Sequence, residues 1–197
     1  GGMYANRIRL VGTEQGVGVK VAGDLAASSG ELTISADGKI SVNNLTSAQN
    51  ISVASAAESV TVTGTVQASQ TTQIKADNAI EVQSEASVSG DHLQIEAARL
   101  ENQGKIKGGQ QTNIETSHIE NTGTIIGNGG VSVVSDTLNN LGSGLIKSDA
   151  DIIIQTDLTN EGGLEAEGKL DVASTNNLVV GGRLVGGGGL RLSAAND

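Results

Sequence analysis

A repeat of about twenty residues limits what this chain can fold into more than any other feature. Four copies align in its centre: LQIEAARLENQGKIKG from Leu93, TNIETSHIENTGTIIG from Thr112, VSVVSDTLNNLGSGLI from Val131 and DIIIQTDLTNEGGLEA from Asp151. Looser copies on both sides extend the pattern to about nine or ten units. A fixed period of this length is typical of a chain that stacks one structural unit on the next.

Short runs of alternating apolar residues occur within each unit. The clearest are Leu32/Ile34, Ile40/Val42, Val60/Val62, Ile80/Val82 and Leu93/Ile95. Alternation with a period of two is typical of strands with one buried side, and the spacing of an amphipathic helix is not sustained anywhere. The chain is therefore predicted to be all-β.

Two all-β arrangements suit many short strands, an antiparallel meander and a coil of parallel strands. A meander needs tight hairpins, and only Asp37-Gly38 offers a good signal for one. A coil needs turns of nearly equal length, and the units here differ by only one or two residues. The sequence thus predicts a parallel β-helix of about nine to ten turns, with about 20 residues in each turn.

The composition fits such a coil and excludes several partners. There is no Pro, Cys, Trp or Phe, so small aliphatic residues must build the core. The formal net charge of −10 argues against a nucleic-acid partner and against binding to an anionic membrane. No apolar run is long enough to span a bilayer and no export signal is present, so we expect any targeting signal to lie upstream.

One polar position recurs with the repeat. Asn102, Asn121, Asn140 and Asn160 follow one another at spacings of 19, 19 and 20 residues. If the turns lie in phase, these side chains can hydrogen-bond along the axis as a structural asparagine ladder. The alternative is that Asn and Gly occupy the turn because it needs a positive φ.

No catalytic, cofactor-binding or metal-binding residues are predicted. The acidic residues are spread over the turns, one or two in each, as on a solvated surface: Glu81, Glu85, Asp91, Glu96, Glu101, Glu115, Glu120, Glu161, Glu165 and Glu167. His92 and His118 fall at different places in their repeat units, so we do not expect them to share a metal.

Three further patterns favour no binding site. The run Gly186–Gly189 lacks the residues of a phosphate-binding loop and is interpreted as a turn. Asn44 and Asn50 begin glycosylation sequons, and a chain rich in Asn, Ser and Thr contains a few of these by chance.

The opening residues GGMYANRIRLVGTEQGVGV resemble the end of the secretion domain in filamentous haemagglutinin-like exoproteins of two-partner secretion. Downstream, the L-x-N-x-G pattern at Leu100–Gly104 and Ile119–Gly123 resembles the haemagglutinin repeats of the same proteins, which include adhesins and contact-dependent growth inhibition toxins. The resemblance implies that residues 1–29 end the secretion domain and that residues 30–197 are a repeat shaft continuous with it.

The same resemblance implies a right-handed β-helix, export through an outer-membrane transporter and display on, or release from, a Gram-negative cell surface. Receptors on a host or a neighbouring cell would then be contacted through other regions of the parent protein. Self-association is expected where a coil has an open end, so the tail LRLSAAND is predicted to be frayed or packed against a neighbour.

Two functions are compatible with these features. The first is a non-catalytic shaft that projects a distal binding or toxin module. The second is a carbohydrate-active β-helix, such as a polysaccharide lyase or hydrolase. An enzyme of that kind needs loop insertions that wall a cleft, and the nearly constant unit length favours the shaft.

Overall fold

Alternation of buried and exposed side chains builds the strands of this chain. In Leu32–Ala36 the first, third and fifth residues are buried, and the second and fourth are only half-buried. Because successive side chains of a strand point to opposite sides, one side of each strand faces the interior. The computed structural model describes residues 1–195.

The described residues form strands joined by short turns. In chain order the strands are β1 (Met3–Ala5), β2 (Ile8–Val11), β3 (Val19–Ala27), β4 (Leu32–Ala36), β5 (Ile40–Ser47), β6 (Ile51–Ser55), β7 (Val60–Val62), β8 (Thr65–Ala68), β9 (Thr71–Ala76), β10 (Ala79–Val82), β11 (Ser87–Asn102), β12 (Lys105–Asn121), β13 (Thr124–Gly127), β14 (Val131–Asn140), β15 (Leu145–Ser148), β16 (Ile152–Asn160), β17 (Gly163–Ala166), β18 (Lys169–Ser174), β19 (Leu178–Val180), β20 (Arg183–Gly186) and β21 (Gly189–Ala194). No helix of membrane-spanning length and hydropathy occurs in residues 1–195.

Each turn of the coil has three faces, and in the following lists the nth range belongs to turn n. The first face consists of residues 3–5, 25–27, 45–47, 65–68, 87–90, 105–108, 124–127, 145–148, 163–166 and 183–186. The second face consists of residues 8–11, 32–36, 51–55, 71–76, 92–97, 111–116, 131–134, 152–155, 169–174 and 189–194. The third face consists of residues 19–21, 40–42, 60–62, 79–82, 99–102, 118–121, 137–140, 157–160 and 178–180.

All the strand pairs are parallel, and like positions of successive turns lie over one another. Leu100, for example, pairs with Ile80 in the turn before it and with Ile119 in the turn after it. The first corner joins the first face to the second, the second corner joins the second face to the third, and the third corner leads to the next turn. This arrangement confirms the predicted parallel β-helix of ten turns of about 20 residues.

Turn length varies more than the sequence pattern indicates. Paired residues of successive turns are 18 residues apart at Ile146 and Leu164 but 24 apart at Ile8 and Leu32. The extra residues of the first turn form an exposed loop after β2, which is tied down where Gly16 N donates to Asp37 Oδ2 at 2.6 Å. The expected variation of one or two residues is therefore wrong for the first turn, because loops at an exposed corner lengthen without disturbing the stack.

The interior is a column of aliphatic side chains. All the predicted alternating pairs are buried, with exposures of 0 or 1%: Leu32, Ile34, Ile40, Val42, Val60, Val62, Ile80, Val82, Leu93 and Ile95. Asp37-Gly38 joins β4 on the second face to β5 on the third face, and it forms no hairpin because each of these strands pairs with strands of other turns. Strands β11 and β12 run through their corners without a break and reach 16 and 17 residues.

The tail predicted to fray is partly ordered. Residues 190–194 belong to β21, which pairs in register with β18. Asn196 and Asp197, the last two residues of the tail, lie outside the described residues.

Candidate functional site

Four asparagines line the third corner of turns 5 to 8, each paired in register with the next. Nδ2 of Asn102 donates to Oδ1 of Asn121 at 2.9 Å, and Nδ2 of Asn121 donates to Oδ1 of Asn140 at 2.8 Å. The same bond joins Asn140 to Asn160 at 2.8 Å. All four side chains are at most 1% exposed, so these amide bonds run through the interior and all point the same way along the axis.

Three of these amides, those of Asn121, Asn140 and Asn160, also bind the backbone of their own corner. Nδ2 of Asn121 donates to the carbonyl oxygen of Gly123 at 3.1 Å, and Nδ2 of Asn140 donates to that of Gly144 at 3.1 Å. Each of these two carbonyl oxygens also accepts a backbone N–H of the next turn, from Leu145 and from Gly163 at 2.9 Å, so the asparagine supplies its second hydrogen bond.

The backbone of these four residues is not left-handed. Within residues 1–195 the only non-glycine residue with a positive φ is Glu85, at 71°. The glycine of the L-x-N-x-G pattern is required for a different reason. A Cβ at Gly123 would overlap the carbonyl oxygen of Gly104 in the turn before it. Close stacking of the corners, rather than a positive φ, requires glycine there.

The asparagine column ends abruptly toward the N-terminus. Val42, Val62 and Val82 occupy the same position in turns 2 to 4, and Val82 pairs in register with Asn102. Asn102 Oδ1 therefore faces a side chain without a donor. It is the one buried side-chain polar atom of the described chain that has no hydrogen-bond partner.

Small and hydroxyl-bearing side chains line the second corner. This column consists of Ala36, Ser55, Ala76, Ala97, Thr116, Ser135, Thr156 and Ser174. The hydroxyls bind carbonyl oxygens of the corner: Ser55 donates to Gly38 at 2.6 Å and Ser135 donates to Thr137 at 2.7 Å. Sequence reasoning missed this column, although its members follow the first inward residue of the second face at a constant offset of four.

Asp157 ties turn 8 to turn 9. Its Oδ1 accepts hydrogen bonds from the Ser174 hydroxyl at 2.9 Å, from the Thr175 hydroxyl at 3.1 Å and from the backbone N–H of Asn176 at 2.8 Å. Desolvation raises the pKa of Asp157, but these bonds and one from the backbone of Asn177 outweigh it and hold the pKa below its ordinary value of 3.8.

Acidic side chains on the third face form a row in register. Glu81, Glu101 and Glu120 lie in successive turns. Arg99 bridges two of them, with its guanidinium 2.9 Å from a carboxylate oxygen of Glu101 and of Glu120. Arg99 is 40% exposed, so this is an ion-pair network on a solvated surface.

A shallow groove of about 920 Å³ runs along the second corner from turn 1 to turn 6. Alanines form much of its floor: Ala54, Ala56, Ala76, Ala97 and Ala98. Asp37, Asp77, Glu96 and Glu115 contribute carboxylates to its lining, and Glu96 lies 3.8 Å from the Lys75 amine. This groove is where a carbohydrate-active function can be tested, because it gathers carboxylates of several turns around one concavity.

The two histidines lie on different faces. His92 begins the second face of turn 5, and His118 begins the third face of turn 6, where its Nδ1 contacts the Thr137 hydroxyl. Among residues 1–195, no three His, Asp or Glu side chains are grouped so that they could hold a metal ion.

Both sequon asparagines are bonded within the stack. Asn44 Nδ2 donates to Asp24 Oδ1 at 2.8 Å, and Asn50 Nδ2 donates to Glu31 Oε1 at 3.1 Å. A sugar attached to either amide would replace a proton at a nitrogen that joins two turns. Gly187 and Gly188 form the turn between β20, which ends at Gly186, and β21, which begins at Gly189.

The sequence matches a known repeat family along its whole length. The model described as Haemagglutinin repeat matches residues 1–55, 27–106, 88–162 and 154–197. No solved structure matches the chain.

Several curated proteins share segments of this sequence. Toxin CdiA of Yersinia pestis is 52% identical over 54 residues, which are 27% of this chain and 2% of that protein. The tRNA nuclease CdiA-2 of Burkholderia pseudomallei is 54% identical over 48 residues, which are 24% of this chain and 2% of that protein. The 16S rRNA endonuclease CdiA of Enterobacter cloacae is 38% identical over 95 residues, which are 48% of this chain and 3% of that protein. The matched segments thus span only 2 to 3% of the length of these relatives.

Proposed function

The chain belongs to the haemagglutinin repeat family, and from this membership we propose that it is a non-catalytic segment of the shaft of a large secreted surface exoprotein. The parent protein is a filamentous adhesin or a contact-dependent growth inhibition toxin, and the similarity to CdiA proteins favours the toxin. The shaft projects a distal binding or toxin module.

The observation that carries this proposal is the parallel pairing of ten turns on the first and second faces and of nine turns on the third. Strand spacing of about 4.8 Å per turn gives a rod on the order of 45 Å long. Bending such a rod requires strand pairs on one face to separate, so the stack resists bending. A stiff rod assembled from one repeated unit can be lengthened by further units without a change in its cross-section.

The nuclease activities named for two of the relatives belong, in this proposal, to other regions of the parent. A shaft would hold such a module away from the cell surface and contribute no residue to its chemistry. Contacts with a receptor on a host or neighbouring cell are likewise assigned to other regions.

The proposal includes export through an outer-membrane transporter of a two-partner system and display on a Gram-negative cell surface. Residues 1–29 would end the secretion domain and residues 30–197 would form the repeat shaft, and the longer first turn supports a change of character near this boundary. End-to-end association of the isolated chain through its last turn would appear in analytical ultracentrifugation as sedimentation that depends on concentration.

Deletion of one whole turn tests the shaft function. Removing residues 103–121 from a parent exoprotein joins Asn102 to Thr122, which normally follows Asn121, the residue that pairs with Asn102 in the next turn. We expect the variant to be exported and displayed, with a rod shorter by one strand spacing of about 4.8 Å in electron micrographs averaged along the axis.

The matched control removes residues 103–111, which is about half a turn. It moves residues 112–116 of the second face into the places of the third corner and the first face, and should abolish export or ordered packing. If the whole-turn deletion is as damaging as the half-turn deletion, the segment is not an extensible shaft.

The groove at the second corner supports the second candidate, a carbohydrate-active β-helix. Incubation of the chain with acidic and neutral polysaccharides, followed by measurement of new reducing ends, separates the two functions. The shaft function predicts no cleavage. Cleavage lost in Glu115→Gln but kept in Glu120→Gln, a matched change outside the groove, would favour the enzyme.

A further inference from the structure

We propose that the step between turns 4 and 5 is a joint of the shaft, at which the stack opens first. We call this step the turn 4/5 joint; it lies between Val82 and Asn102 at the third corner. Two irregularities that are unrelated in sequence coincide there.

The first irregularity is a buried acceptor without a donor. Asn102 is 1% exposed, and its Oδ1 faces Val82. In every later step of the column the equivalent oxygen accepts a hydrogen bond from the turn before it. A polar atom that loses its hydration and gains no partner weakens the contact that buries it, so this step is held less tightly than its neighbours.

The second irregularity is the backbone of the corner that follows Val82. It closes with a bond from Ala86 N to the Gln83 carbonyl oxygen at 2.9 Å, and it contains Glu85 at a φ of 71°. A side chain larger than glycine is rarely found at such a φ, because Cβ crowds the backbone. This corner leads directly into turn 5, so its strain bears on the same step.

The steps on either side lack this mismatch. Between turns 3 and 4, Val62 contacts Val82 and no polar atom of the column is buried. Between turns 5 and 6, the amides of Asn102 and Asn121 are bonded. In a linear stack each turn contacts only its neighbours, so the weakest internal step decides where the stack separates.

One backbone amide in each turn reports on its own step. Gln83 N donates to Val62 O at 3.1 Å, Gln103 N to Val82 O at 2.9 Å, and Thr122 N to Asn102 O at 3.0 Å. Hydrogen exchange of the intact chain under native conditions should therefore show a local minimum of protection at Gln103. We expect the amide of Gln103 to exchange about tenfold faster than those of Gln83 and Thr122. Fraying from the ends of the rod would not give this result, because Gln83 lies nearer the N-terminal end and Thr122 lies nearer the C-terminal end.

Val82→Asn supplies the missing donor. The corner after Val82 has the length and the closing bond of the one after Asn140, where Gly144 N donates to Leu141 O at 2.8 Å. The positive φ lies at Gly142 there and at Glu85 here, so an asparagine is already accommodated before a corner of this length. The introduced amide should donate to Asn102 Oδ1 and raise the protection of Gln103 about tenfold. Val62→Asn is the matched control, because it buries an amide that has no asparagine in the next turn, and it should not protect Gln103.

Asn102→Val gives an independent result. It removes the unpaired oxygen and leaves Asn121 Oδ1 without a donor, so the protection minimum should move by one turn to Thr122. Equal protection of Gln103 and Thr122 in the unaltered chain would overturn the joint. So would a minimum that stays at Gln103 in Asn102→Val, or a folded Val82→Asn variant whose Gln103 is no better protected. If Val82→Asn does not fold, the position of the minimum in Asn102→Val decides.

Discussion

The third corner is built in two ways along the same rod. In turns 2 to 4 its inward position is valine, and the corner backbone is satisfied from the solvent side: the Thr63 hydroxyl donates to Val42 O at 3.1 Å, and Asn44 Oδ1 accepts from Thr65 N at 2.9 Å. In turns 5 to 8 the inward position is asparagine, and its amide binds the corner from within. The comparison shows that the side chains which add hydrogen bonds to this corner can lie on either side of the backbone.

The two solutions differ in how they depend on neighbouring turns. A valine packs against any apolar neighbour of similar size. A buried asparagine is stable only if its partner stands one turn away and presents the right atom, so the asparagine turns fix the phase of the stack more strictly than the valine turns do.

The largest effect on the free energy of unfolding is expected when an asparagine replaces one of the valines of the third corner. Val62→Asn buries an amide between Val42 and Val82, neither of which can bond to it. We expect the free energy of unfolding to fall by about 2–4 kcal/mol, measured by urea denaturation. Thr61→Asn, one residue away on the outer side, should change it by less than about 0.5 kcal/mol; equal effects of the two variants would contradict the comparison.

The reverse exchange should cost somewhat less. Asn121→Val leaves Asn140 Oδ1 without its donor and removes the Asn121 acceptor of Asn102 Nδ2, so we expect a loss of about 2–3 kcal/mol in the same measurement. Asn102→Val is the control at the end of the column. It removes the unpaired Oδ1 of Asn102 and leaves Oδ1 of Asn121 unpaired in its place, so we expect a loss of less than about 1 kcal/mol. The ladder would have no energetic role if both variants behaved alike.

Asp157 adds a pH dependence to the asparagine half. The pKa of its carboxyl is below 3.8 in the folded chain, so its ionised form stabilises the fold at pH values above 3.8. That contribution is lost as the pH falls through the lowered pKa of the folded state. The melting temperature of Asp157→Asn should therefore lie below that of the unaltered chain at pH 7, with the difference shrinking as the pH falls below 3.8 and through the lowered pKa of the folded state. A difference that is constant with pH would show that the carboxylate charge is not involved.

The smallest effect is expected at the ion pairs near the boundary of the two halves. Arg99→Ala removes the bridge to Glu101 and Glu120, which is exposed to solvent, so we expect a loss of about 0.5 kcal/mol. The loss should fall further in about 1 M salt, because the Debye length is then about 3 Å. A loss as large as that of Asn121→Val would mean that the ion pairs on the third face, and not the buried asparagines, account for the difference between the two halves of the rod.

The inward residues of the strands could be predicted from the sequence, whereas the length and shape of the corners could not. Pairs such as Leu32/Ile34 and Ile80/Val82 were predicted as inward residues and are buried, because alternation is a local property of a strand. The length of the first turn and the continuation of β11 and β12 through their corners were not predicted. Both depend on how a corner packs on its neighbours, which a period of twenty residues does not encode.

The corner columns show the same division. The asparagine column was visible because an amide recurs in four successive turns. The column that includes Ser55 and Ser135 alternates between Ala, Ser and Thr, so its members share only their small size and their offset. Glu85 gave no signal at all, since its left-handed backbone reflects the closure of one corner.

The sequence by itself determined the period, the inward residues and the parallel coil, because equal lengths of chain with the same alternation return to the same place one strand spacing further on. Only the tertiary structure decided which polar groups are partnered. The partner of an asparagine is a residue about twenty positions away, so whether Asn102 finds a donor depends on Val82 standing over it in the stack, and no local pattern around Asn102 records that.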